Sequence, residues 1–591
     1  MTLLIGPLLR HVDAESAAIF VEVDRAARVA VEVDGCPEPY VAATFSVHDH
    51  HYALVEVTGL GGAGDDAAGS GTGDEGSAYR VLVYDEVLWP LPDSPFPASV
   101  IRPVRPEEPL RMAFGSCRTS VPHDAEHHDT HGVDALRTFA LAMAYDGAPE
   151  GQRWPLLLLL LGDQVYADET SEAMRAFISG RRSLEEPPYA ELKDYQEYAH
   201  LYSLAWSDPA LRWLLSTLPS MMIFDDHDVR DDWNTSAQWR ADMEATQWWH
   251  DRIVAALGSY WVYQHLGNLS MAERAEDELW RELLRRQRGQ DGEVDLTDAV
   301  DAFAARVDED PAGYRWSYAR DLGESRLVVI DSRAARVLDP DRRAMLDEEE
   351  MDWLDRQLRG DCAHLLIGTS LPYLLPRGLH DVEAFDDTMV LGAWGRTLAR
   401  VGERLRVNFD LEHWAAFPDS FRRVWAMVAE VAAGRRGSPP ATITFLSGDV
   451  HHSYVARVHA QDRDASCGSG SVAPAAAVDG ALARTAILQL VCSPIRNPLP
   501  RPVRWGTAAL ARGVRRPIGF LTRRSAKIPD PPIDWDTVAG PWYDNNLALL
   551  QVKPGNGGDR NALEAVWIGS RIEDGQHHRP RAVVVSRVDL P

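Results

Sequence analysis

Three patterns of hydrophobic and polar positions divide the chain. Up to about residue 100, apolar positions come in short β-branched runs at 17–23, 29–33, 52–57 and 79–84, separated by polar turns. Such runs predict strands, and their regular spacing predicts a small β-sandwich over residues 1–105. The glycine-rich stretch 61–76 reads as a flexible hairpin insertion, and the prolines of 90–109 as a linker. From residue 106 the pattern changes. Apolar strands at 111–114, 156–161, 221–224, 326–330, 364–367, 442–446 and 487–491 alternate with longer helical stretches, the signature of an α/β layered unit. A third, helical and Trp-rich pattern interrupts it at 234–315, with an amphipathic helix expected over 272–286 and a strand over 313–318. Coming straight after a candidate ligand loop, this insertion is expected either to cap the site or to decorate the periphery. The extension 497–591 holds a basic stretch at 500–527 and strands at 547–552 and 562–567 that would complete an outer sheet.

The clearest local signal is the run 156–161, six consecutive leucines followed by Gly162-Asp163. A short continuous apolar run closed by a turn residue suits a parallel strand covered on both faces. Asp163 then stands just past the carboxyl end of that strand, where open α/β sheets hold their ligands.

Charge narrows the partners. A net charge of −29 repels a phosphate backbone, so duplex nucleic acid is not expected. No apolar run reaches membrane-spanning length, so no membrane partner is expected. The start of the sequence has no basic and apolar signal pattern, and the five cysteines are odd in number and scattered. A reducing, cytoplasmic location is the expectation.

Nearly every strand of the α/β unit ends in residues able to do chemistry. Four ends stand out: Phe114-Gly115-Ser116-Cys117-Arg118, Gly162-Asp163-Gln164-Val165-Tyr166-Ala167-Asp168, Phe224-Asp225-Asp226-His227-Asp228 and Leu446-Ser447-Gly448-Asp449-Val450-His451-His452. They are expected to converge at one edge of one sheet. One carboxylate can bridge two cations about 3.5–4 Å apart, which clamps a phosphoryl group and acidifies a bound water. Asp163 is the candidate bridge. Cys117 and Tyr166, strong thiolate and phenolate donors, point to iron at one position. Asp226 and Asp449 suit a hard ion such as calcium, magnesium or manganese at the other, with zinc as a further alternative. Strand alternation would put Asp449 and His451 on one side as two ligands of one centre, and turn His452 away. Carboxylates around His227 would raise its pKa and fit it to protonate a leaving alkoxide, with Asp228 orienting it. Asp225 reads as a cap, Arg333 as a salt-bridge partner of Asp331 or a neighbour, and the histidines 123, 127, 128 and 131 as an irregular solvated loop.

Ser-Cys-Arg, Gly-Asp-x-x-Tyr-Ala-Asp, Asp-Asp-His-Asp and Gly-Asp-Val-His, in this order along the chain, resemble the PhoD-like alkaline phosphatases, a group of the calcineurin-like and purple-acid-phosphatase type. Ile330-Asp331-Ser332-Arg333 and Leu490-Val491-Cys492-Ser493-Pro494 resemble family stretches too, and Gly6 to Val23 looks like the family's opening strand pair. The resemblance implies a four-layer αββα metallophosphoesterase sandwich over 106–591 behind an N-terminal immunoglobulin-like β-sandwich. It implies a small phosphate mono- or diester as substrate, attacked in line by a metal-activated hydroxide. Fe(III) would be held by Cys117, Asp163, Tyr166 and a residue of the last motif. Ca(II) would be held by Asp163, Asp226 and Asp449 or His451. Arg118 stands where the family commonly has Gln, and Asp228 where it commonly has Glu; Arg118 is expected to meet substrate phosphate. Two other readings compete: a binuclear-metal esterase or sulfatase on the same scaffold, and a non-catalytic phosphate- or partner-binding member.

Overall fold

The computed structural model describes residues 1–60, 76–147, 153–290, 292–339, 341–408, 410–459, 484–499, 504, 531–553 and 562–590. Nearly all of the glycine-rich hairpin and of the basic 500–527 stretch lie outside the described residues.

The N-terminal runs form two sheets. Leu3–Val12, Ser16–Val23, His50–Thr58 and Phe45–Val47 make one, and Tyr40–Ala43, Arg28–Val33, Ser77–Val83 and Glu86–Trp89 the other. Leu9, Ile19, Val21, Val29, Val55 and Val81 pack between them. The opposite face of the first sheet is not solvent-facing. Ile5, Leu8, Phe20, Tyr52 and Leu54 belong to the main core of the molecule, which is why Ser16–Val23 is buried along its whole length. An antiparallel sheet with one wet face would alternate; this one does not because a second layer covers it.

The covering layer combines helix Pro209–Thr217 and strand Ser220–Ile223, which pack on Leu3–Val12, with the insertion. Helices Trp249–Tyr260 and Thr297–Glu309 pack together, and Val294–Asp295 adds a parallel fifth strand beside Phe45–Val47. His48 and Asp301 meet at 2.9 Å, and Arg274 and Glu56 at 2.8 Å, across the same junction. The insertion is therefore a brace against the N-terminal sheet rather than a peripheral ornament. The helix expected over 272–286 breaks at Asp277, which ends Met271–Glu276 and caps Glu278–Gln287. The strand expected at 313–318 is displaced to Tyr318–Leu322, with a short 3-10 turn, Pro311–Gly313, before it.

The large unit holds two facing sheets. One runs Ser220–Ile223, Leu157–Leu161, Arg111–Gly115, Asn546–Lys553, Ala562–Arg571, Arg581–Leu590. Its first three strands are parallel and the tail strands add to it antiparallel. The other runs Tyr318–Leu322, Ser325–Ile330, His364–Thr369, Thr442–Ser447, Ala486–Val491, Ser453–His459, Asp534–Trp542. The two touch directly: a Cβ on Gly368 would lie 3.3 Å from Leu161 Cδ2 and 3.7 Å from Leu159 Cδ2. Helices Glu348–Gln357 and Pro418–Ala432 cover the far face of the seven-stranded sheet. Helix Ala135–Leu141 lies on the tail strands of the other. The leucine run is thus buried on both faces, as its composition demands. Leu159→Ala should lower stability by about 2–5 kcal/mol, read as a fall in melting temperature with catalysis otherwise intact. Three of the histidines expected in a loop, His127, His128 and His131, sit on an α-helix, Ala125–His131, capped by Asp124, while His123 precedes it; His128 and His577 face each other at 3.0 Å. Among the described residues no helix is long and apolar enough to cross a membrane.

Candidate active site

The chemistry-bearing strand ends come from both sheets, not from one. Cys117, Asp163 and the Asp225-Asp226 pair follow parallel strands of the six-stranded sheet. Asp449 and His451 follow Thr442–Ser447 of the facing sheet, so the site lies where the two carboxyl-terminal edges meet.

The turns that carry them are unusual. Cys117, Asp163, Asp449 and His451 all have left-handed backbone, at φ +57°, +51°, +62° and +49°. Such non-glycine positions cost about 1–3 kcal/mol each and persist only when their surroundings fix them. Here the turns are sewn together: Cys117 N donates to Gly162 O (3.3 Å), Arg118 N to Asp163 O (3.0 Å) and Arg496 N to Cys117 O (3.0 Å). Gly162 itself sits at φ +98°, and a Cβ there would meet Asp225 Cβ at 2.6 Å, so the Gly-Asp pair has no room for another residue. The two left-handed residues, rather than strand alternation, orient Asp449 and His451, and they send them to different groups.

Three sets of ligand atoms lie mutually within 4.8 Å: Cys117, Asp163 and His451; Asp163, Asp226 and His227; Asp225, Asp226 and Asp449. Asp163 and Asp226 each belong to two sets. Three carboxylate oxygens here, Asp163 Oδ1, Asp225 Oδ2 and Asp226 Oδ1, are buried without a hydrogen-bond partner. Burial pushes Asp163 far above the usual carboxylate range; His227 opposes this while Asp225, Asp226 and Asp228 reinforce it. Burial also raises the Cys117 thiol, and the charges of Asp163 and Asp449 add to the rise. His451 is pushed down to about 4 by burial, which leaves its imidazole neutral and able to ligate. The Tyr166 hydroxyl donates to Asp163 Oδ2 at 3.4 Å, and its ring lies 4.6 Å from that of His227.

His227 has a different orienter from the one expected. Its Nδ1 is 3.0 Å from both oxygens of Asp168. Burial disfavours its charge, but Asp168, Asp226 and Asp163 together hold its pKa well above the ordinary histidine value. Asp228 instead binds backbone: its Oδ2 accepts from Asp163 N and Asp225 N, both at 2.9 Å, and its Oδ1 accepts from Gln264 Nε2 at 3.1 Å. It pins the ligand turns and does not touch His227. Arg118 is turned away from the cluster. Its guanidinium is buried on Asp134 (2.9 Å) and on Ala205 O (2.9 Å), so it is not placed to meet a substrate.

The arginine inside the cluster is Arg333. Its guanidinium contacts Asp225 and Glu412 and lies 3.2 Å from Asp226 Oδ1 and 3.8 Å from Asp449 Oδ1. Asp331, its expected partner, caps the backbone N–H groups of Arg333, Ala334 and Ala335 instead. Asp225 is likewise more than a cap, since it enters the third ligand set. His452 is buried rather than solvated, with Nδ1 on Val450 O at 2.7 Å.

A family model described as PhoD-like phosphatase matches residues 144–485, more than half of the chain. The chain belongs to the PhoD-like phosphatase family. A model for a domain of unknown function, DUF7800, matches residues 1–101. A solved structure titled "Structure of PhoD" superposes with a TM-score of 0.54 at 13% identity, covering 99% of this chain and 89% of that one. No curated protein matches the chain. In this PhoD-like phosphatase the sequence motifs missed one buried relay. His413 Nε2 is 2.8 Å from Asp449 Oδ2, and its Nδ1 is 2.6 Å from Glu383. Glu383, Glu412 and His413 lie on or after helices and follow no strand, so no strand-end pattern marks them. Asp168 closes the Gly-Asp-x-x-Tyr-Ala-Asp motif, and only its contact with His227 gives it a place in the site.

Proposed function

We propose that this phosphatase hydrolyses phosphate esters at two metal positions that share Asp163. The carrying observation is the overlap of two ligand sets on Asp163, whose Oδ1 is buried and unpartnered. The residues fit a cation pair. Asp163, Asp225, Asp226, Asp449 and Glu412, with Asp168 and Glu383 behind the two histidines, are clustered against Arg333, Arg336, His413 and His227, which leaves negative charge to balance. Cys117, Asp163 and His451, with Tyr166 on the same carboxylate, would hold one ion, and this softer donor set suits iron. Asp163 and Asp226, with Asp225 and Asp449 beside them, would hold the other, an oxygen set suited to calcium, magnesium or manganese. When bound, such a pair acidifies water and offsets phosphoryl charge. The protein's own groups do the rest. Asp228 fixes the turns, Arg333 keeps the carboxylates together, and His227, held protonated by Asp168, supplies a proton from Nε2 to the departing oxygen.

Turnover of p-nitrophenyl phosphate or bis(p-nitrophenyl) phosphate supports this reading; turnover of only the sulfate or acetate ester would overturn it. For the proton donor, His227→Asn should slow an alkyl phosphate about 10²–10⁴-fold. A p-nitrophenyl ester, whose leaving group needs no proton, should lose far less. Equal losses on both would remove His227 from this role.

A further inference from the structure

The family matched by residues 1–101 carries no assigned function, yet here that domain is joined to the Asp163 turn by unbroken hydrogen bonds. Arg10, buried on Leu3–Val12, lies against Gly267, where an added Cβ would come within 2.1 Å of its Nε. Its NH2 donates to Gln264 O at 2.6 Å and to Asn268 Oδ1 at 3.2 Å. Asn268 in turn pairs with both backbone groups of Met222, at 2.9 and 2.7 Å, on the strand that runs into Asp225 and Asp226. From the sheet's other strands, Glu22 accepts from the Tyr263 hydroxyl at 2.8 Å and the Tyr52 hydroxyl meets it at 2.9 Å. Held between these anchors, Trp261–His265 is a π-helical turn, a form that concentrates at functional sites. It aims Gln264 inward, onto Asp228, whose second oxygen holds Asp163 N and Asp225 N.

We propose that the N-terminal β-domain is the support that sets the Asp163 turn, and that Gln264 is the positioning residue through which it acts. This rests on the reading of Asp163 as the shared metal ligand. The left-handed Asp163 and Gly162 need an external restraint, and Asp228 is the acceptor that grips the Asp163 and Asp225 turns together. Gln264 donates to Asp228 from outside those turns, and its own position is fixed by Arg10 and, through Tyr263, by Glu22. A mere space-filling role would need none of this polar continuity. Groups that orient metal ligands typically change metal affinity or activity by about 10–100-fold when removed.

The test compares wild type, Gln264→Met, Tyr263→Phe and Asp163→Asn. Each is assayed for calcium affinity by calorimetry after chelation, for kcat and KM on bis(p-nitrophenyl) phosphate, and for melting temperature. Gln264→Met keeps bulk and removes the donor. It should lower kcat and calcium affinity about tenfold or more, with KM within about twofold. Tyr263→Phe, which loses only the hydroxyl facing the N-terminal domain, should move both in the same direction by about threefold. A folded Gln264→Met with wild-type calcium affinity and kcat overturns the proposal. If Gln264→Met does not fold, wild-type values in Tyr263→Phe overturn it. Loss of calcium in Asp163→Asn alone would leave the reading of Asp163 standing while the support role falls. Retention in Asp163→Asn would remove that reading and the proposal with it.

Discussion

Asp163→Asn should abolish metal-dependent hydrolysis of phosphate esters, with kcat falling on the order of 10³-fold or more, equivalent to about 4 kcal/mol of lost transition-state stabilisation. The change is nearly isosteric, so the fold should survive it. It removes one negative charge and one of two equivalent oxygens from a residue that joins the Cys117–His451 set to the Asp226–His227 set. A neutral amide cannot offer both cations a charged oxygen, and its NH2 would face Cys117, Asp226 or His451 as a donor. Folding stability should move the other way. Burial and three neighbouring aspartates already destabilise the Asp163 charge when no cation balances it. After chelation, the variant should therefore melt at or above the wild-type temperature. Loss of activity together with a large drop in melting temperature of the chelated variant would mean that Asp163 serves mainly the fold.

Arg333→Met should have the largest effect on stability. The guanidinium is fully buried and contacts Asp225, Asp226 and Glu412 at once. Burial pushes Glu412 upward, but Arg333 and Arg336 outweigh it and hold the group below the usual range. Removing one member of such a network strands its carboxylates, a loss of about 3–5 kcal/mol. Melting temperature should fall by several degrees and activity should drop with it, because Asp226 and Asp449 lose a shared anchor. Arg333→Lys keeps the charge but not the planar fork and should recover only part of the stability. An unchanged melting temperature in Arg333→Met would show that the carboxylates are neutral without it.

The strands were legible because their chemistry is local. A run of leucines closed by Gly-Asp, or Thr442–Ser447 followed by Gly448-Asp449, carries its structural consequence within a few residues. The candidate ligands Cys117, Asp163, Tyr166, Asp226, Asp449 and His451 came with those strand ends; the structure gathers all but Tyr166 into overlapping groups that could hold a metal ion, and sets the Tyr166 hydroxyl on Asp163. What depends on the facing of distant parts was not legible. Nothing in Ser-Cys-Arg tells that Arg118 turns back onto Asp134, 16 residues on. Arg333 was visible, but its place among four carboxylates depends on how two sheets meet. Asp228 is next to His227 and Asp168 lies 59 residues before it, yet the turn geometry sets the distant carboxylate on the ring and the adjacent one on the backbone. The insertion's amphipathic pattern gave a surface and a buried face, but not that the insertion adds strand Val294–Asp295 to the N-terminal sheet.

The most direct test of the shared-ligand reading is elemental analysis of the purified protein beside Asp163→Asn, both prepared in the same medium. The account predicts about two metal equivalents per chain in the wild type, one of them iron, and about one or fewer in the variant. Equal metal content and equal phosphoesterase activity in the two proteins would contradict it.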